Sequence, residues 1–494
     1  MLDSNRVINF CDFFIEWSII CLIIFTPIAF STVEIWSETV MEVVVFLAAL
    51  VWFLKIYIQG KIFIVETQIN FLIIIFLCLI TFQLVPFPDF LVNIISPNTK
   101  KIIDFYTFGI SSSINFKRIS LSPWATKGEL LKLLTYAMIY FLVANNFKGR
   151  DKKNRLIVCI IIVGFIEAFY GIIQYVSGEK MIFRFTKMYY STERLIGTFP
   201  NPDHFSAFIT ICVFISIGYL IYFFDNGNIS KKTEYWEKDR NSLRRKNSLI
   251  FLKRAQDFIF IGKNWHKKIL LMFNIIIMIT ALIFTKSRGG ILSFFLSFIL
   301  LVILIFFKGS LKSHLWTLSI VIILTLIFGF WIGFTPVFDR YLDVSFKKEV
   351  EEGRLSIWKS TYYIFKDYPI LGTGFGSFPD VYPSYSLRSN QAEINHAHND
   401  WLELLSDTGI LGLAIIVSGV FYLTVFSFGE VLKVESDGQI WIFLGGYTAI
   451  ISIIIHSFVD FNLKTSANAF LVAVVIGILV SFPKLHHEKV IGKR

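Results

Sequence analysis

Long apolar runs, each about 20 residues and separated by shorter polar segments, dominate this chain. Hydrocarbon offers no partner to a backbone N–H or C=O, so a run of that length reads as a membrane-spanning helix. The pattern predicts helices over 14–31, 38–57, 68–85, 129–146, 156–176 and 204–224. It predicts six more over 267–285, 290–307, 315–334, 409–429, 440–457 and 464–482. Twelve spans make an all-α polytopic membrane protein. Residues 1–334 form an N-terminal bundle of about nine helices, interrupted by the basic linker 225–268. A large loop, 335–408, carries short surface helices, and 409–494 supply the last spans and a basic tail.

Composition supports that class. Of 494 residues 55% are hydrophobic, 54 are Phe, and the mean hydropathy is +0.64, which excludes disorder and an ordinary soluble domain. The formal charge of +11 does not point to nucleic acid, because the basic residues cluster beside apolar spans as topology signals. The segment after "MLDSNRVINF" lacks a small-residue cleavage site, so it reads as a retained first helix. Cys11, Cys21, Cys78, Cys159 and Cys212 lie in or at apolar segments with no pairing rhythm and indicate neither disulfides nor a thiolate site.

Loop charge sets the orientation. "KGRDKKNR" (148–155) has five Lys/Arg, and the 225–268 linker has twelve against five acids. "KGSLK" (308–312) and the tail "KLHHEKVIGKR" fall on the same side, which is therefore the cytoplasm, with both termini. The large opposite loop, 335–408, has seven basic and eleven acidic residues, in keeping with that assignment. The lysines of 86–128 run against it, but long translocated loops report charge bias poorly. The linker reads as a loop held near anionic lipid.

The chemistry-bearing residues then gather on the outer side. In "RLIGTFPNPDHFSAF" (194–208), Arg194 precedes a turn rich in Gly and Pro. Asp203 can cap the next helix while Arg194 snorkels to headgroups; alternatively Arg194 binds an anion. In the hairpin "TKSRGG" (285–290), Lys286 and Arg288 are flanked by Ser287, Gly289 and Gly290, whose glycines allow close approach, and a hairpin between apolar helices needs no arginine, so a functional role is favoured for Arg288. Arg354, at the turn into an aromatic amphipathic helix, is a solvated first-turn charge or a further phosphate contact. Glycines 372, 374 and 376 lack the spacing and preceding strand of a nucleotide fingerprint and read as a flexible turn.

"INHAHNDWLELLSDTGI" (394–410) is the richest stretch. Asp400 and Glu403 have capping-box spacing, so a short helix begins there, with His396, His398 and Asn399 at its mouth. These are structural polar residues, metal ligands with a carboxylate, or the seat of a catalytic histidine; His-x-His alone is weak evidence for metal. In "HSFVDFN", His456 and Asp460 are four apart and share a face if the helix continues that far. They satisfy each other or orient the loop histidine. Arginine's fork suits phosphate oxygens and neutral histidine accepts a proton, a combination that fits transfer of a group from a lipid-anchored phosphate or diphosphate. A transporter or flippase would instead concentrate polar groups at mid-membrane.

At "LSPWATKGELLKLLTYAMIYFLV" (121–143), "RLIGTFPNPDHFSAF", "SRGG", "GRLSIWKSTYYIFKDYPILGTGFGSF", "HAHNDWLELLSDTGILGL" and "HSFVDFNL", the chain resembles the O-antigen ligase/O-antigen polymerase superfamily of bacterial envelope glycosyltransferases. The resemblance implies a metal-independent, cofactor-free enzyme of the bacterial inner membrane, acting outside the cytoplasm. Its donor would be an undecaprenyl-diphosphate-linked glycan and its acceptor a lipid-linked sugar. His398 looks like the family's essential histidine, activating the acceptor hydroxyl. Arg194, Arg288 and Arg354 look like the residues that hold the diphosphate, and Asn399, His456 and Asp460 like their supports. Ligation to lipid A–core is favoured; repeat polymerisation and transfer to protein hydroxyls are the alternatives.

Overall fold

The computed structural model describes residues 4–107, 116–179, 181–183, 186–187, 194–235, 265–308, 344–387, 394–433, 438–482 and 489–492, with isolated positions between 319 and 327. Its helices follow the apolar runs. α1 (Ser4–Ile28), α2 (Ile35–Gln59) and α3 (Gln68–Leu84) lead to two short helices, α4 (Asp89–Ile95) and α5 (Pro97–Thr107). Next come α6 (Pro123–Asn146), α7 (Arg150–Ser177), α8 (Pro202–Tyr235), α9 (Trp265–Phe284) and α10 (Arg288–Phe307). The remainder are α11 (Val344–Asp367), a single turn α12 (Phe378–Val381), α13 (Asp400–Lys433), α14 (Gln439–His456) and α15 (Ser466–Val480). Strand pairing among the described residues is confined to 61–64 with 489–492, 87–88 with 116–117, and 181–182 with 186–187.

Eight of these helices are long and apolar enough to cross a membrane: α1, α2, α7, α8 to Phe224, α9, α10, α13 to Phe426, and α14. α3 and α15 are shorter apolar helices. α6 covers the fourth expected span, with Lys127, Glu129 and Lys132 near its start. The ninth expected span, 315–334, lies outside the described residues apart from isolated positions, as does most of the 225–268 linker.

The middle of the bundle is α8, nearly all buried as far as Phe224. It meets α14 where Gly218 faces Gly445: a Cβ on Gly218 would come within 2.4 Å of the Trp441 carbonyl oxygen, and one on Gly445 within 2.5 Å of that of Phe214. Two small residues thus let the backbones touch, which is how membrane helices gain packing without a hydrophobic driving force. One end of the bundle is basic and internally paired. Lys55 bonds Asp12 (2.6 Å) and Asn146 (2.9 Å), Lys152 pairs with Asp12, and Lys153 donates to the Ser481 carbonyl (2.6 Å). The opposite end collects the start of α8, the α9–α10 hairpin, the start of α13 and the α14–α15 turn.

α13 is two helices joined at Gly409, whose φ of 64° and ψ of −166° only glycine adopts readily. The break lets Ile410 N–H reach the Pro369 carbonyl (2.9 Å), and a Cβ at 409 would sit 2.3 Å from the Ile370 carbonyl. Gly409→Ala is therefore expected to cost upwards of about 2 kcal/mol. Its thermal unfolding in detergent should fall clearly below that of a lipid-facing control such as Val417→Ala.

Candidate functional site

The first turn of α13 organises the site. Asn399 is its cap: its side-chain oxygen accepts from Leu402 N–H (3.0 Å) and its carbonyl from Glu403 N–H (3.0 Å). The expected capping box, with Asp400 as cap, is thus displaced by one residue. Glu403 reaches back past the cap to Ala397 N–H (2.8 Å), while its other oxygen meets His396 Nδ1 (3.1 Å) and Lys464 Nζ (3.1 Å). Asp400 instead ties α13 to the α14–α15 turn. Its N–H donates to the Ser457 carbonyl (2.9 Å), and its carboxylate accepts from the Ser457 hydroxyl (2.7 Å).

Between these anchors His398 holds φ at +50°, a left-handed conformation unusual for a side-chain-bearing residue. Fixing the peptides on both sides keeps it there. The imidazole, 34% exposed, directs Nδ1 at Asp460 Oδ1, 3.5 Å away, and Asp460 is buried. That distance is within ion-pair reach and longer than a hydrogen bond. His396 and His398 therefore address different carboxylates. Burial pushes Asp460 towards protonation, but contact with His398 and the nearby imidazoles of His204 and His456 outweigh it and hold the carboxyl below its usual range.

His456 departs from expectation. α14 ends at His456, with Ser457 as its C-cap, so Asp460 lies beyond the helix rather than one turn up the same face. Neither ring nitrogen of the buried His456 has a hydrogen-bond partner. Its ring lies beside Gly289, where a Cβ would come within 3.1 Å of it.

The arginines converge on the same end by different routes. Arg194 is buried, donating Nε to the Thr285 carbonyl (2.9 Å) and pairing with Asp203 (2.7 Å). It does not snorkel, and Asp203 is not the cap of α8: Asn201 is, accepting from Asp203 N–H (2.8 Å). Half-buried Arg288 opens α10 immediately after its cap Ser287, next to the Gly289–His456 contact. Arg354 sits within α11 rather than in its first turn, half-buried, and donates to the Val459 carbonyl (3.0 Å) in the turn that carries Asp460. α11 also holds the histidine segment through Trp358 Nε1, which donates to the Ala397 carbonyl (3.0 Å).

Glycines 372, 374 and 376 form a turn, but a firmly held one. Gly374 N–H donates to the Asp407 carbonyl (3.0 Å) and Gly376 N–H to the Asp407 carboxylate (2.8 Å). Those amides serve α13, not a phosphate.

Three participants were not visible in the sequence. The ring of Phe461 contacts the imidazoles of His396 (4.4 Å), His204 (4.7 Å) and His398 (4.9 Å). His204 is itself bonded to the Thr465 hydroxyl (2.7 Å). Lys464 and His204 each carried a signal, a titratable group at the mouth of an apolar run; Phe461 had none.

Part of the chain matches a known family: a family model described as O-antigen ligase covers residues 273–417. The chain carries an O-antigen ligase family domain. That domain runs from α9 into α13 and includes Arg288, Arg354, His398 and Asn399, whereas Arg194, His456 and Asp460 lie outside the matched stretch. No curated protein matches the chain.

Proposed function

We propose that this O-antigen ligase family protein transfers a glycan from undecaprenyl diphosphate to an acceptor hydroxyl outside the cytoplasm, most simply that of lipid A–core. The observation that carries the reading is His398: an imidazole fixed in a left-handed turn, part-exposed, facing a buried carboxylate at the end of the bundle that also holds the arginines. With Nδ1–H towards Asp460, Nε2 has a lone pair to accept a proton, and none of the described residues hydrogen-bonds it.

In this mechanism His398 Nε2 removes the acceptor hydroxyl proton as that oxygen attacks the anomeric carbon. The bond from that carbon to the diphosphate oxygen breaks, and configuration inverts. Arg288 offsets the charge developing on the leaving diphosphate, with Arg354 a further contact. Arg194 adds its field while remaining bonded to Asp203. Asn399 and Asp460 hold the histidine, and His456 packs under the arginine hairpin. No cofactor is required, because the diphosphate is already a good leaving group. The basic end of the bundle, opposite His398, supports a cytoplasmic location for residues 148–155 and for both termini.

Deletion of the gene followed by gel and mass-spectrometric analysis of surface glycan tests the reading. Ligation predicts loss of long glycan from lipid A–core, with full-length chains accumulating on the carrier. Accumulated single repeats would replace ligation by polymerisation, and an unchanged profile would overturn glycan transfer to lipid altogether.

A further inference from the structure

The segment 194–201, which leads from Arg194 into α8, is not helical, yet it packs alongside the span α7. Gly171 of α7 makes room for it: a Cβ there would come within 2.6 Å of Leu195 and 3.2 Å of the Gly197 nitrogen. Thr198 reaches further along, to Glu167, ten residues before α7 ends at Ser177 and so about 15 Å from that end. Irregular backbone at such a depth persists only where protein satisfies its polar groups. Glu167 does so here, because the Thr198 N–H donates to Glu167 Oε2 (3.3 Å), and both residues are 1% exposed.

The Thr198 hydroxyl fixes the state of that carboxyl. Its oxygen lies 2.7 Å from the Pro27 carbonyl oxygen and 2.8 Å from Glu167 Oε2. Pro27 is in the last turn of α1, where a carbonyl has no partner within the helix and can only accept. A hydroxyl has a single proton. Were Glu167 ionised, that proton would face two acceptors, and one of the two contacts would set lone pair against lone pair. A protonated Glu167 resolves the conflict: its O–H donates to Thr198 Oγ1, and the Thr198 O–H donates to Pro27.

The surroundings point the same way. Glu167 lines a groove of about 440 Å³ between α1 and α7, among Ile24, Ile28, Val163 and Ile166. The cation of that groove, Arg155, is twelve residues away along α7 and is paired with Glu16. Among the described residues no cation pairs with Glu167, and the titratable groups that face it, Tyr170 on α7 and Cys212 on α8, are neutral at ordinary pH. An ionised carboxylate without a partner inside a span is costly, whereas a neutral acid with both hydrogen bonds made is not.

We propose that Glu167 is a positioning residue for Arg194: a neutral carboxylic acid whose O–H pins Thr198 and, through it, the segment that holds Arg194 towards the diphosphate. The inference rests on the transfer reading above for the diphosphate, but not for the proton. The other side of the segment is held by the α9–α10 hairpin, where Leu195 N–H donates to the Phe284 carbonyl (3.0 Å) and Arg194 Nε to that of Thr285 (2.9 Å). Release of Thr198 therefore leaves Arg194 on a segment anchored from one side only.

The test uses full-length protein in nanodiscs, with lipid-linked donor extracted from the deletion strain and lipid A–core as acceptor. Glu167→Met and Thr198→Val should each raise the donor KM at least about fivefold, the size of one lost buried hydrogen bond, and leave the acceptor KM within about twofold. Their combination should raise it no further, because both remove the same bond. Glu167→Gln, which keeps a neutral donor, should restore the wild-type donor KM. A purely structural role would reduce the folded fraction, hence turnover, without moving KM; melting curves accompany each variant, and Thr198→Val stands in if Glu167→Met does not fold. An unmoved donor KM in both variants, or a glutamine variant as impaired as the methionine one, would overturn the proposal. Infrared spectra need no turnover: wild type at neutral pH should show the carbonyl stretch of a protonated acid that Glu167→Gln lacks. That band without any glycan transfer would sink the transfer reading and keep the neutral acid; transfer without the band would sink the neutral acid alone.

Discussion

His398→Ala is expected to lower kcat by about 10²- to 10⁴-fold, the range that a positioned general base supplies. Loss of the base should leave the protein folded, because the imidazole is part-exposed and its Nδ1 has no hydrogen-bond partner. The backbone strain at φ +50° gives a sharper version of the experiment. His398→Gly removes the same imidazole and also relieves the strain, so it should melt at or above the wild-type temperature while being as inactive as the alanine variant. Turnover by both variants with lipid-linked donor in nanodiscs, alongside melting curves, checks this. Added imidazole should restore part of the activity of the glycine variant, since it replaces a base and not a fold. Asp460→Asn should fall between these variants and wild type, because it removes the charge facing Nδ1 but keeps an oxygen there. Wild-type turnover by His398→Ala would remove His398 from the mechanism.

The second large effect is on stability. Lys464→Met should cost about 3–5 kcal/mol, the usual penalty for removing one partner of a buried ion pair. Burial alone would push Lys464 towards neutrality, but the carboxylates of Glu403 and Glu129 raise it above its ordinary value, so it remains charged at any pH the cell meets. Removing it leaves Glu403, 1% exposed, with an uncompensated charge, held only by His396 and the Ala397 amide. The double variant Lys464→Met/Glu403→Gln should recover much of the loss, because a neutral amide costs less to bury than a lone carboxylate. Unfolding in detergent measures both. A single variant as stable as wild type would mean that the pair is solvated and does not anchor the histidine segment.

Much of this protein is local, and the local part was legible. A span announces itself by some 20 apolar residues because each of its backbone groups bonds within the same helix, with no reference to the rest of the chain. The described helices α1–α3, α6–α10 and α13–α15 therefore fall where the apolar runs predicted them. Arg194, Arg288 and His398 stood out for a related reason: a charged or titratable group at the edge of such a run demands an explanation wherever the run packs.

What the sequence could not decide was pairing. Asp400 and Glu403 have capping-box spacing, yet the cap moved to Asn399 because Asp400 was drawn to Ser457 across the bundle, 57 residues away in sequence. His456 and Asp460 are spaced as helical neighbours, but the helix ends between them and Asp460 turns to His398. The sequence leaves Arg354 as either a first-turn charge or a phosphate contact, and only the packing of α11 against the α14–α15 turn gives it the Val459 carbonyl as partner. Phe461 carries no signal in one dimension, because its importance is that three imidazoles from distant segments meet its ring. Hydrophobic length and helix propensity are properties of a segment, so the sequence determined the spans by itself. The energy of a carboxylate, an imidazole or an ammonium group depends on which opposite charge lies within a few ångströms, and only the tertiary structure decided that.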